Sequence, residues 1–208
     1  LSRFRTTGSI HLDKSLLELC SGKSKVLLNQ IGFLDSTGSH SSQNGYRLTG
    51  DAAYKDVLLQ AAYTLTTRYK EGAGIIRSWD HSRDKWDCPV IIDNMMNLEL
   101  LFWAFRTSGD SLFYNVAVNH ARTTMKNHFR DDYSSYHVVD YDTITGAVLH
   151  KHTHQGYAHE SAWSRGQAWG LYGYTVCYRE TGLPEFLEQA KPVLCNSRKP
   201  LSLPAAAR

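Results

Sequence analysis

Tyr46-Arg47-Leu48-Thr49-Gly50-Asp51-Ala52-Ala53-Tyr54 recurs as Phe105-Arg106-Thr107-Ser108-Gly109-Asp110-Ser111-Leu112-Phe113, and again as Tyr178-Arg179-Glu180-Thr181-Gly182-Leu183-Pro184-Glu185-Phe186. Each copy reads as the end of one helix, a Gly that closes it in the left-handed conformation, and the first turn of a second helix. The aromatic residue that follows the Gly anchors the second helix to its neighbour. Gly50 and Gly109 are 59 residues apart and Gly109 and Gly182 are 73 apart, the spacing of stacked helical hairpins in a periodic all-α architecture. Closing a ring of six such hairpins takes roughly 350 to 400 residues, of which this chain supplies about half, so the reading is an incomplete ring or an open arc.

Working outward from the repeat, apolar spacing predicts a helix over 52–69 with Val57, Leu58, Ala61, Ala62 and Leu65 on one face. A nearly all-apolar helix is expected over 93–107 and a more polar, outer one over 112–129. A fourth helix, rich in Trp, Tyr and Gly, is expected over 161–181 as an inner one. Between the last two, the runs 136–141 and 147–150 flank Thr143-Ile144-Thr145-Gly146, which reads as a small β-hairpin insertion.

All 12 Tyr and all 5 Trp fall between Tyr46 and Tyr178. Residues 1–45 hold nine serines and only a weak apolar pattern, and the last 18 residues hold three of the five prolines. The expected organisation is an N-terminal segment 1–45, an informative globular segment 46–191 and a tail 192–208. The 208 residues suit one domain with a real core, or at most two small ones. A net charge of +3, with basic residues scattered, argues against nucleic acid as a partner. No apolar run is long enough for a membrane helix, and no signal-peptide pattern opens the chain. The four cysteines (Cys20, Cys88, Cys177, Cys195) make no CxxC pair, so neither a zinc site nor a disulfide framework is expected.

Three places carry candidate chemistry. Asp93 follows Val90-Ile91-Ile92 and precedes Asn94-Met95-Met96. It reads either as a helix N-cap or as a carboxylic acid whose pKa is raised by the apolar side chains around it. The positive end of a helix would pull that pKa down, and a second nearby carboxylate would restore the rise. In Trp163-Ser164-Arg165-Gly166-Gln167-Ala168-Trp169, Arg165 and Trp169 are four apart and share a helix face. An Arg there fixes a carboxylate or hydroxyls while a Trp packs on a sugar face. The plainer reading is an Arg lying over a core Trp. His150, His152 and His154 alternate along the expected hairpin, but no carboxylate or Cys stands at ligand spacing, so no metal is expected.

The runs Ile91-Ile92-Asp93-Asn94-Met95-Met96-Asn97-Leu98, Tyr136-His137-Val138-Val139-Asp140, Thr153-His154-Gln155-Gly156-Tyr157 and Trp163 to Trp169 occur in that order. Together they resemble the unsaturated glucuronyl hydrolases, glycoside hydrolase family eighty-eight, over about 46–191. The resemblance implies an (α/α)6 barrel and substrates that carry a 4,5-unsaturated uronic acid at the non-reducing end, as polysaccharide lyases leave on glycosaminoglycans. It implies hydration of a vinyl ether rather than the two-carboxylate chemistry of ordinary glycosidases. By the same resemblance Asp93 matches the general acid/base, while His137, Gln155, Arg165 and Trp169 match substrate-lining positions. Trp163 sits beside them as a structural residue. No cofactor is implied, since proton transfer and water suffice, and the relatives are bacterial proteins of the cytoplasm or periplasm. The chain departs from the pattern at one point: where the family has His-Asp before an Ile-Gly-Phe-like run, it has Asn29-Gln30 before Ile31-Gly32-Phe33. Gln30 carries no charge, and Asp35 is out of register. Two alternatives stand beside this reading: a hydrolase of unsaturated rhamnogalacturonan products with a related barrel, and an inactive carbohydrate-binding or structural remnant.

Overall fold

In the computed structural model, residues 36–197 are described. Gln30, the run Ile31-Gly32-Phe33 and Asp35 lie outside them. The described chain runs α1 (Ser36–Thr49), α2 (Ala52–Thr66), β1 (Tyr69–Lys70), β2 (Ile75–Ile76), β3 (Cys88–Ile91), a 3-10 turn (Ile92–Asn97), α3 (Leu98–Ser108), α4 (Ser111–Asn127), β4 (Val138–Tyr141), β5 (Val148–His152), α5 (Ser164–Thr181) and α6 (Pro184–Ser197).

The repeat is the skeleton. Gly50, Gly109 and Gly182 have φ of 70°, 76° and 69°, the left-handed region that a Cβ disfavours. Each separates two helices that pack on each other: α1 on α2, α3 on α4, α5 on α6. Asp51 and Asp110 cap the second helix of their pairs, accepting from the N–H of Ala53 and of Leu112 at 2.9 Å. The third copy has Pro184 in the first turn instead, where its missing N–H costs nothing. The anchoring aromatics behave as expected: Tyr54, Phe113 and Phe186 are all buried. Phe113 and Phe186 belong to one core with Leu58, Leu101 and Tyr174.

Several elements differ from the sequence-based expectation. The helix expected over 93–107 is a 3-10 turn followed by α3, which begins only at Leu98. Asp93 is therefore not an N-cap: it lies inside the 3-10 turn, whose flanking residue is Ile91. The helix expected from residue 161 begins at Ser164, with Trp163 in the cap position. The hairpin has a third strand, because β3 pairs antiparallel with β4 (Ile91 opposite Val138) and gives the order β3-β4-β5. His154 lies beyond β5 and does not continue the alternation of His150 and His152. The α6 helix runs six residues past Lys191 and through Pro192, so the tail expected from 192 is partly helical. Among the described residues no helix is long and apolar enough to cross a membrane.

What brings the 3-10 turn and α5 together is a row of small residues. A Cβ on Gly166 would lie 2.9 Å from Ile92 Cγ2, and one on Gly173 would lie 2.4 Å from Met95 Cβ. Spaced seven apart, the two share a helix face, so α5 lies directly on the turn that carries Asp93. Gly173→Ala is expected to push these elements apart and cost about 1–3 kcal/mol, the usual penalty of overpacking. A fall of several degrees in melting temperature checks this; an unchanged melting temperature contradicts it.

Two buried histidines, one in α4 and one capping its end, tie that helix to β2 and β3. His120 Nδ1 accepts the N–H of Ile76 at 3.1 Å, and His128 Nε2 donates to the carbonyl of Val90 at 3.1 Å. Burial pushes their pKa values down to about 3 and about 4, so both are neutral in the fold. In the unfolded chain they titrate near 6.5. Below that pH the unfolded state binds more protons, and stability is lost as pH falls from about 6.5 towards 4, by up to about 1.4 kcal/mol per pH unit for each histidine. The melting temperature is expected to stay level from pH 8 to about 6.5 and then to drop; a level curve down to pH 5 contradicts this reading.

Candidate active site

Asp93 is held by its own turn. Ile92 N–H donates to the carbonyl of His137 at 3.0 Å, which joins the start of the turn to the residue before β4. Asn94 Nδ2 donates to the carbonyl of Ile76 at 2.8 Å. Ile92, Met95 and Met96 are buried around it. Asp93 is itself buried, at 3% exposure. Its Oδ2 has no hydrogen-bond partner among the described residues.

This environment sets its chemistry. Burial pushes the Asp93 pKa up to about 6, against the pull of its own backbone N–H and of the Arg165 charge. Desolvation by apolar neighbours was expected from the sequence to raise the pKa, with a helix terminus opposing it. Among the described residues the rise comes from burial itself, with no second carboxylate among its causes. Just below pH 6 Asp93 is an acid with a proton to give.

His137 faces it. Its Nε2 is 3.9 Å from Asp93 Oδ2, too long for a hydrogen bond. On the other side of the ring, Nδ1 accepts the N–H of His154 at 3.0 Å and of Gln155 at 3.2 Å. A neutral imidazole that accepts at Nδ1 carries its proton on Nε2, which is the nitrogen turned to Asp93. Burial, followed by the charges of His154 and Arg165, lowers the His137 pKa to about 4. It is therefore a neutral donor over the range where Asp93 titrates.

Gln155 and Arg165 complete the group. The loop after β5 brings Gln155 to Arg165, whose Nη2 donates to Gln155 Oε1. The Arg165 guanidinium lies over the Trp163 ring at 4.5 Å, and that ring packs against His137 at 4.3 Å. Trp163, assigned a structural place from the sequence, is thus the aromatic face inside the group. Trp169 lies one turn further along α5 and contacts Tyr172 at 6.2 Å. The structure brings together Asp93, His137, Gln155 and Arg165 and adds Trp163; Trp169 shares α5 with Arg165, four residues further on. Among the described residues no three His, Cys, Asp or Glu are grouped so as to hold a metal ion.

The chain is similar to known proteins over this whole region. The profile of Glycosyl Hydrolase Family 88 matches residues 37–201, past the segment 46–191 at both ends. An unsaturated glucuronyl hydrolase of Formosa agariphila is 58% identical over 138 residues, 66% of this chain and 34% of that protein. An unsaturated chondroitin disaccharide hydrolase of Streptococcus agalactiae is 42% identical over 152 residues, 73% of this chain and 37% of that protein. The crystal structure of an unsaturated glucuronyl hydrolase specific for heparin superposes with a TM-score of 0.79 at 46% identity, covering 86% of this chain and 47% of the other. This chain thus spans less than half the length of these relatives. Its helical hairpins are a segment of their α/α barrel. A profile that runs through most of the chain, joined to a shared backbone and close sequence identity, establishes that it belongs to Glycosyl Hydrolase Family 88.

Proposed function

We propose that the chain acts in the hydrolysis of oligosaccharides ending in a 4,5-unsaturated uronic acid, with Asp93 as the proton donor. The observation that carries this is a buried carboxyl group of raised pKa, one oxygen of which has no partner among the described residues, facing a neutral imidazole N–H. A vinyl ether needs such a group. Asp93 gives its proton to C4 of the C4=C5 double bond, and positive charge develops at C5, shared with the ring oxygen. Water adds at C5 and loses a proton, with the Asp93 carboxylate as the acceptor. The hemiketal at C5 opens to a ketone as its bond to the ring oxygen breaks. The hemiacetal left at C1 then collapses to an aldehyde and releases the next sugar.

The other residues have roles that follow from their placement. His137 stays neutral and offers Nε2–H beside the reacting carboxyl, so it holds the substrate or the carboxylate without competing for the proton. Arg165, fixed between Gln155 and Trp163, offers its remaining N–H groups to an acidic sugar. Trp163 presents an aromatic face, and Trp169 extends the same side of α5. The relatives' names point to glycosaminoglycan disaccharides as the substrate class.

The test is direct. Unsaturated disaccharides from chondroitin, hyaluronan and heparin, and an unsaturated rhamnogalacturonan product, are mixed with the chain. Loss of the ultraviolet absorbance of the conjugated double bond is followed. Loss on a glycosaminoglycan disaccharide supports the proposal. Loss on the rhamnogalacturonan product alone transfers it to that class, and a folded chain that consumes none refutes it.

A further inference from the structure

Between β2 and β3 the chain runs from Arg77 to Asp87 without helix or strand; Arg83, Asp84, Lys85 and Asp87 are exposed, but Arg77 is turned inward beside Arg68. Arg68 and Arg77 are each only 7% exposed. Both bind Asp80: Arg68 Nη1 to Oδ2 at 2.8 Å and Arg77 Nη1 to Oδ1 at 3.1 Å. Arg68 Nε also donates to the carbonyl of Arg77 at 2.9 Å, and Arg77 Nη2 donates to the carbonyl of Asp87. At the far end the buried Asp140 accepts the N–H of Cys88 at 2.8 Å and of Asp87 at 3.2 Å. Asp87 in turn accepts the N–H of Thr143 at 2.9 Å. Burying two guanidinium groups against one carboxylate carries a desolvation cost, so a segment held in this way is held in one place.

What it holds is aromatic. Trp79 and Trp86 meet edge to face at 5.8 Å. Trp79 lies against His154 at 6.2 Å, and Trp86 meets His152 edge to face at 5.3 Å. The Trp79 indole N–H has no acceptor among the described residues. His154 is the residue whose backbone N–H binds His137, so this wall adjoins the group around Asp93 directly. Both Trp rings are half-buried, with faces suited to the C–H side of a sugar.

We propose that the Arg68–Asp80–Arg77 clamp is a specificity device: it fixes Trp79 and Trp86 beside His154 as the wall against which the leaving sugar packs. The proposal rests on the reading of Asp93 as the acid of an unsaturated uronyl hydrolase. Asp80 touches no substrate and is a positioning residue.

The experiment compares two substrates in the full chain: 4,5-unsaturated glucuronic acid linked to N-acetylgalactosamine, and the same acid as its methyl glycoside. Asp80→Asn keeps the shape and removes the charge. For the disaccharide, KM is expected to rise about tenfold with kcat little changed, the pattern of lost binding common to ground and transition states. The methyl glycoside is expected to keep both constants, and Asp80→Glu to recover part of the loss. The tryptophan emission of Asp80→Asn should shift to the red and become more open to acrylamide quenching. An equal rise in KM for both substrates, or no rise, overturns the proposal. Should Asp80→Asn fail to fold, Trp86→Ala decides: the disaccharide KM must rise by a similar factor, and an unchanged KM overturns the wall. Failure of the hydrolase reading looks different, because the wild-type chain then consumes neither substrate. In that case N-acetylgalactosamine alone is the probe. Emission quenched by it in the wild type but not in Asp80→Asn supports the clamped wall, and no quenching in the wild type overturns it.

Discussion

Asp93→Asn is expected to lower kcat by about 10²- to 10⁴-fold, the contribution of one positioned general acid. Asn keeps the shape of the side chain but has no proton to give at C4. The same change should stabilise the protein at pH 8. The Asp93 pKa is raised in the fold to about 6, against an ordinary value near 3.9. Ionising it therefore costs more in the folded state, and stability is lost as pH rises from about 4 through 6. Removing the carboxyl removes that loss, on the order of 2 kcal/mol at pH 8. In the wild type, activity should fall as pH rises above about 6, because the acid must be protonated to act. A variant that keeps most of its activity, or that is less stable than the wild type at pH 8, contradicts the account of Asp93.

Arg165→Ala is the second large effect, and it has two separable parts. Arg165 is held by Gln155 and stacked on Trp163, leaving its other N–H groups for substrate. Losing charge-assisted hydrogen bonds to an acidic sugar should raise KM by about 10- to 100-fold. Its charge also lowers the pKa of Asp93. Without it the Asp93 pKa rises further, and the fall in activity moves to higher pH. Arg165→Lys separates the two parts. The positive charge remains, so the pH limb should stay near its wild-type place. KM should stay raised, because an ammonium cannot reproduce the planar fork. Kinetic constants measured from pH 5 to 8 check both, and a limb that does not move in Arg165→Ala contradicts the electrostatic part.

Local signals in the sequence reached the structure well. A Gly forced into the left-handed region, a capping Asp and an anchoring aromatic act over a few residues, so the three hairpin joints were readable. One of the two readings of Asp93, a carboxyl group desolvated by its apolar neighbours, was also open from the sequence, since Ile92, Met95 and Met96 lie next to it; that burial alone outweighs the opposing pull was not. Contacts between distant residues were not readable in the same way. The strand Cys88–Ile91 is a short buried run containing a proline, without the alternation that marks a half-exposed strand, and its partner lies some 50 residues on. The 3-10 turn at Asp93 arises because the chain must pass from the sheet into α3 while the glycine face of α5 presses on it. Trp163 was given a structural place beside the substrate-lining positions; its contact with His137 depends on the fold of the chain between them. The Arg68–Asp80–Arg77 clamp joins residues whose charges look like ordinary surface charges until burial is known.

The central claim is that Asp93 protonates C4 and water adds at C5. The most direct test runs the reaction on an unsaturated chondroitin disaccharide in deuterium oxide and locates the label by nuclear magnetic resonance and mass. The account predicts one carbon-bound deuterium at C4 of the released deoxy-keto sugar, with loss of the double-bond absorbance and none of it in Asp93→Asn. Release of the sugar with the double bond intact and no deuterium at C4 would contradict it.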